Sequence, residues 1–323
     1  MTVGVIGHYR CAEHNMGAHH PEAPERMAAI QDQLIRSGLE YVIRQYDANP
    51  VERKWLELAH SKKHVDYIFN HAPTEGTFAI DDDTAMNTST LKAALLSAGA
   101  AIDAVDLVMD KTLSSAFCAT RPPGHHATYN RSMGFCFFNN VAVAAAYAKK
   151  KYNLERIAIV DFDVHHGNGT EDIVAGKEGY LFCSSFQYPL YPFIGAESIE
   201  IAGVEGDIDS LKSKADNVIY TPLPATTKGE DFRQAIIKDW LPALHAFKPQ
   251  IIFISAGFDA HIEDDISHMS LTEADYQWVT SELKDIANQY SEGRIISVLE
   301  GGYALSALGR CVVAHIKGLI GNH

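Results

Sequence analysis

Eight short runs rich in β-branched residues punctuate this chain, and most are apolar on consecutive positions: Val3–Gly7, Tyr41–Asp47, Ala116–Thr120, Ile157–Asp161, Tyr180–Ser184, Val218–Pro222, Ile251–Ser255 and Ile295–Leu299. A strand with one wet face alternates apolar and polar residues. A strand covered on both faces does not, and that is the habit of parallel sheets. Longer helical patterns lie between the runs, at Pro24–Ser37, Ser89–Met109, Asn140–Lys150, Asp231–Phe247, Thr272–Tyr290 and Leu305–Ile320. Thr272 with Asp275 resembles a capping box at one helix start. Strand–helix alternation with crossover-length segments predicts an α/β three-layer sandwich, with a mostly parallel, roughly eight-stranded central sheet flanked by helices. No Pro/Gly/Ser linker, repeat or charge block interrupts the 323 residues, so residues 1–323 are expected to form one domain.

Composition narrows the partners. Lys plus Arg number 27 against 41 Asp plus Glu, a formal charge of −14. Such a chain is ill-suited to nucleic acid, and its field attracts a cationic substrate. The uncharged stretch from Met133 to Ala148 is shorter than the ~20 apolar residues of a membrane span and contains Asn139 and Asn140. Met1 to Arg10 lacks the basic and apolar regions of a secretory signal. The five scattered cysteines fit neither a disulfide framework nor a Cys-type zinc site. A reducing cytoplasm is the expected location. Oligomeric state is left open.

In doubly wound sheets the ligand site lies beyond the carboxyl ends of the strands. Four strand ends here carry chemistry. Ile157–Val160 runs into Asp161-Phe162-Asp163-Val164-His165-His166-Gly167-Asn168, and Ile251–Ser255 into Ala256-Gly257-Phe258-Asp259. Ala116–Thr120 leads to Arg121-Pro122-Pro123-Gly124-His125-His126, and Ile295–Leu299 to Glu300-Gly301-Gly302-Tyr303. Asp163 and His165, two apart in extended chain, point to the same side. With Asp259 they make three ligands and leave an open position, the pattern of a catalytic zinc. The oxygen-rich set also suits Fe²⁺, Co²⁺ or Mn²⁺. His125 and His126 are acid/base candidates, with Asp161 and Asn168 available to fix their tautomers. Tyr303, on a glycine hinge, is a candidate oxyanion donor.

These segments together resemble the histone deacetylase family, within the arginase/deacetylase superfamily. The resemblance extends through Arg121–Ala127, Gly134-Phe135-Cys136-Phe137-Phe138-Asn139-Asn140, Asp161–Thr170, Ser255–His261 and Leu299–Tyr303. It also takes in His14, Gly17, His20-Pro21-Glu22, Pro24 and Arg26. Asn168 and the Arg-Pro-Pro-Gly before the histidines look like the class II and bacterial members. The resemblance implies the arginase/deacetylase fold and one catalytic Zn²⁺ on Asp163, His165 and Asp259. It implies that His126 is general base and then acid and His125 an electrostatic helper, with Asp161 orienting His125 and Asn168 orienting His126. Tyr303 would polarise the acetyl carbonyl. It further implies a K⁺ held by the Asp161 side chain, the Asp163 and His165 carbonyls, the Ser184 hydroxyl and the Ser185 carbonyl. Phe135 and Tyr191 would wall an acyl-lysine tunnel, with Gly134 and Gly301 also touching substrate. Two departures from the family pattern stand out. Phe193-Ile194 replaces small residues after the Tyr-Pro segment, and Phe186 stands where relatives often have a histidine after the potassium-site serine.

The expected reaction is therefore hydrolysis of N-acetyl-lysine side chains on proteins or peptides by a metal-activated water. The same chemistry on an acetylated polyamine or other small acyl-amine is the alternative. A ureohydrolase would need two bridged metals, and a non-catalytic acyl-lysine reader would need a damaged site. The intact His pair and Tyr303 argue against both.

Overall fold

A computed structural model describes residues 2–193 and 211–321; Ile194, one of the two tunnel-rim departures, lies outside them. In chain order the major elements begin with β1 (Val3–Gly7), α1 (Glu25–Arg36), β2 (Arg44–Asp47) and the helices α2 (Arg53–Leu56) and α3 (Lys62–His71). A small hairpin of β3 (Thr77–Ala79) and β4 (Ala85–Asn87) precedes α4 (Thr90–Met109), β5 (Ser115–Ala119) and α5 (Asn140–Tyr152). Next come β6 (Ile157–Asp161), α6 (Asn168–Val174), β7 (Tyr180–Gln187), β8 (Val218–Leu223) and α7 (Gly229–Phe247). The chain ends with β9 (Ile251–Ala256), α8 (Glu273–Tyr290), β10 (Ile295–Leu299) and α9 (Leu305–Ile320).

The eight expected strands form one sheet in the order β2-β1-β5-β10-β9-β6-β7-β8. Every pairing in it is parallel, so "mostly parallel" understates the sheet. The consecutive apolar runs have a direct cause. Ile157 and Ile159 belong to the apolar layer that includes α4 and α5, whereas Ala158 and Val160 belong to the layer of α1, α7, α8 and α9. Phe253 faces the first layer and Ile252 and Ile254 the second. Each fully buried side chain of this size contributes roughly 1.5–3 kcal/mol, which is why both helical layers stay seated on the sheet.

Helix starts follow local chemistry. The Thr272–Asp275 capping box forms, with Thr272 N–H donating to Asp275 Oδ2 at 2.8 Å. Asn139 caps α5 by accepting from Ala142 N–H at 3.0 Å. The run Tyr41–Asp47 is strand only over Arg44–Asp47, because Gly38 turns the chain with φ 71° into a 3-10 turn at Leu39–Tyr41. The helices α2, α3 and α6 and the β3–β4 hairpin were not anticipated; all are short. Among the described residues no helix is long and apolar enough to cross a membrane. The five cysteines are buried and unpaired.

Candidate active site

The strands β5, β10, β9 and β6 are consecutive neighbours in the sheet. Their carboxyl ends therefore bring the four motif segments together, although these are far apart in sequence. Asp163, His165 and Asp259 are buried, and one potential ligand atom from each lies within 4.8 Å of the others. His165 Nδ1 is 3.0 Å from Asp163 Oδ1 and 3.2 Å from Asp259 Oδ2.

Main-chain amides orient the two carboxylates. Gly301 N–H donates to Asp163 Oδ2 at 2.8 Å, His165 N–H to Asp163 Oδ1 at 2.9 Å, and Val164 N–H to Asp259 Oδ1 at 2.9 Å. The backbone can come this close because two positions are glycine. A Cβ on Gly257 would sit 2.0 Å from Asp163 Oδ2, and one on Gly301 would sit 2.1 Å from Asp259 Oδ2.

This cradle asks for a cation. Asp259 Oδ2 is buried and accepts no hydrogen bond among the described residues. Burial, reinforced by the charge of Asp163, raises the Asp259 carboxyl to about 6. Burial also works against charge on His165, but the Asp163 and Asp259 carboxylates outweigh it and lift its pKa to about 9. Two carboxylates and an imidazole converging in a dry site are a hard-to-borderline donor set, which suits Zn²⁺ and its divalent neighbours. The residues fit the metal that the resemblance implies.

Beside the cradle lie His125 and His126, their ring centroids 4.0 Å apart. His125 Nδ1 is 2.9 Å from Asp161 Oδ2, and His126 Nδ1 is 2.7 Å from Asn168 Oδ1. Oxygen acceptors on both Nδ1 atoms put a proton there and direct each Nε2 into the site. The two rings are driven apart electrostatically. Burial opposes charge on His125, but Asp161, Asp163 and Glu300 override it and hold its pKa well above the usual value. His126 is pushed well below, by burial first and then by the positive charges of His125 and His165.

The site opens into a cavity of about 350 Å³ lined by both histidines and by Phe135, Tyr191, Tyr303, Gly134 and Gly301, among others. The Tyr191 ring meets His126 edge-on at 5.0 Å, and the Phe135 and Tyr303 rings meet at 6.1 Å. Phe193 is 56% exposed beyond Tyr191, its ring centroid 6.3 Å from the Tyr191 ring. Tyr303 is steered from behind. Its N–H donates to Asp264 Oδ2 at 2.6 Å, and the Arg26 guanidinium lies 5.1 Å from its ring centroid. Burial, with Asp259 nearby, keeps its phenol protonated.

A family model, the histone deacetylase domain, matches residues 20–319. The chain belongs to the histone deacetylase family. It is 36% identical to type-2 histone deacetylase 2 of Dictyostelium discoideum, over 98% of this chain but 20% of that much longer protein. It is 34% identical to the histone deacetylase-like amidohydrolase of Pseudomonas aeruginosa, over 94% of this chain and 78% of that one. The crystal structure of the HDA15 HD domain superposes with a TM-score of 0.89 at 30% identity, covering 99% of this chain and 90% of that one. As a histone deacetylase family member the chain is a hydrolase acting on amides, with the family's arginase/deacetylase-like fold.

Within that frame the fold makes contacts that the motifs did not spell out. Ser184 pairs in register with Asp161 across β6 and β7, and its Oγ lies 3.0 Å from His166 Nδ1. Phe186 packs edge-on against His166 at 4.9 Å. Glu22 is fully buried between two arginines. Arg121 binds it through Nε and, at 2.7 Å, Nη2, and Arg26 Nη1 donates to it at 3.0 Å. His20 backs Phe135 with ring centroids 4.6 Å apart. Asp83, Leu190 and Ile266 also line the cavity. Apart from the Glu22–Arg26 pair, four residues apart, spacing along the chain carries no trace of these contacts, because they are made across elements.

Proposed function

We propose that residues 1–323 act as one catalytic domain that removes the acetyl group from N-acetyl-lysine side chains of proteins or peptides. One observation carries this reading: a buried three-donor cradle adjoins His126, whose Nδ1 lies 2.7 Å from Asn168 Oδ1, at the base of a cavity with aromatic walls. A divalent ion, Zn²⁺ by family, held by Asp163, His165 and Asp259 would supply Lewis acidity to a water and to the amide carbonyl.

The chain's own groups do the rest. His126 takes the proton of the attacking water at Nε2, since its Nδ1–H is committed to Asn168. His125, charged beside Asp161, stabilises negative charge developing at the carbonyl carbon's oxygen. Tyr303 donates its phenol proton's hydrogen bond to that oxyanion. His126 then returns the proton to the leaving lysine amine, and acetate and a free amine result. Phe135 and Tyr191 flank the aliphatic lysine stem, with Gly134 and Gly301 leaving room at the acyl end. A potassium ion on the Asp161 and Ser184 side chains and the carbonyls of Asp163, His165 and Ser185 would stiffen the turn after β6. The buried free cysteines suit a reducing compartment such as the cytoplasm.

A polyamine substrate would carry a further ammonium along the tunnel or at its mouth. Apart from the cradle, the described lining offers one carboxylate, that of Asp83, among apolar residues such as Leu190, Phe193 and Ile266. That balance favours a lysine stem. The deciding experiment compares acetyl-lysine peptide, longer acyl-lysines and acetylpolyamines side by side, each with a chelator control. Chelator-sensitive turnover highest on acetyl-lysine supports the reading. Faster turnover of acetylpolyamine would replace it.

A further inference from the structure

Glu300 opens the Gly-Gly-Tyr turn after β10, and no step above uses it. Its side chain is fully buried. Its Oε2 accepts from the main-chain N–H groups of Gly124, at 2.7 Å, and His125, at 3.1 Å. Its Oε1 accepts from Ser255 Oγ at 3.0 Å. The main chain is tied as firmly. Glu300 N–H donates to Ala256 O at 3.0 Å, and its carbonyl accepts from Arg26 Nη2 at 2.5 Å.

The location of the two amides is telling. Pro122 and Pro123 have no N–H to give, so Gly124 and His125 carry the first free amides of the turn that delivers the histidine pair. Both go to one carboxylate. The very next residue, Gly301, donates to Asp163 of the cradle. A single stretch of two residues therefore holds the histidine turn on one side and the cradle on the other. A carboxylate satisfied only by neutral donors is an expensive thing to bury, and burial lifts its pKa to about 7 against the pull of His125. Such unfavourable placements concentrate where a site depends on them.

We propose that Glu300 is a positioning residue: by clamping the amides of Gly124 and His125 it fixes the distance between the histidine pair and the Asp163–His165–Asp259 cradle. The inference rests on reading that pair as the acid/base machinery.

The test uses the full chain with matched metal content and three variants. E300A removes the clamp. E300Q keeps it without the charge, because the amide can turn its oxygen to Gly124 and His125 and its NH₂ to Ser255 Oγ. E300D keeps the charge but shortens the reach by one methylene, and stands in if E300A does not fold. Two readouts are taken: kcat and KM on an acetyl-lysine peptide, and the downfield imidazole N–H proton of His125 by NMR, identified by its loss in H125A. The clamp predicts that E300A loses roughly 10²-fold in kcat, as a misplacement of about 1 Å would cause, with KM unchanged. Its His125 resonance should shift or vanish, while E300Q stays close to wild type in both readouts. Wild-type kcat and an unmoved resonance in E300A would overturn the proposal. So would equal loss in E300A and E300Q with the resonance in place, which would make charge the agent. If the wild type proves inactive on acetyl-lysine, the functional reading falls. The resonance alone then decides the clamp, displaced in E300A but not E300Q if it is right, and unmoved if it is wrong.

Discussion

Asn168 Oδ1 lies 2.7 Å from His126 Nδ1, where the neighbouring His125 has a carboxylate, Asp161, at 2.9 Å. That difference helps set the pair in two states. A carboxylate partner strongly favours imidazolium, and a neutral amide partner does so only weakly. Burial and the neighbouring charges then keep His126 neutral, as a base must be.

Giving His126 a carboxylate should undo this. N168D is expected to raise the His126 pKa. A base works only when deprotonated, so the ascending limb of kcat/KM should move to higher pH, and turnover at neutral pH should fall. A pH–rate profile of N168D against wild type checks it; an unmoved limb would show that His126 is not the titrating base.

Tyr303→Phe removes one hydroxyl and leaves the packing against Phe135 and Arg26 in place. Turnover is expected to fall ~10²–10³-fold, the loss seen for a single oxyanion donor, with little change in thermal midpoint. A steady-state assay beside a melting curve separates the two. An unchanged rate would take Tyr303 out of the mechanism.

His315 lies behind the site, its ring 5.8 Å from that of Phe162 and 5.7 Å from that of Phe258, and is buried between Thr280 Oγ1 at 2.6 Å and Ser297 Oγ at 2.8 Å. Burial lowers its pKa from 6.5 to about 3. The folded state keeps it neutral, whereas the unfolded chain protonates it below about 6.5. Its contribution to stability is therefore full above that pH and is lost as pH falls toward 3. Linkage puts the loss at about 2 kcal/mol by pH 5. Denaturant unfolding of wild type and H315Q at pH 7.5 and pH 5 should show a pH dependence smaller by that amount in H315Q. Parallel pH dependences would mean that His315 does not carry the effect.

The sheet was legible because a strand covered on both faces leaves an unbroken apolar run, and Ile157–Val160 could hardly be anything else. The motif residues were legible because strand ends gather them: Asp163 and His165 share one strand end and Asp259 caps a neighbour. Boundaries failed where one residue redirected the chain, as Gly38 does before Arg44–Asp47. The short α6 was missed because its seven residues are too few to display a period, though its first residue, Asn168, was singled out for its chemistry. Glu300 was visible within a motif yet silent, since its partners Gly124 and His125 are 175 or more residues away and are met through main-chain amides. Side-chain type says nothing of such contacts.

The central claim is that Asp163, His165 and Asp259 share one divalent ion. Crystals of the zinc-loaded protein, measured on either side of the zinc absorption edge, test it most directly. The account predicts one anomalous peak per chain at ~2.0–2.2 Å from His165 Nδ1 and from an oxygen of each aspartate, and its loss in D259N. A zinc-loaded, active crystal with no peak among these three side chains, or with the peak retained in D259N, would contradict it.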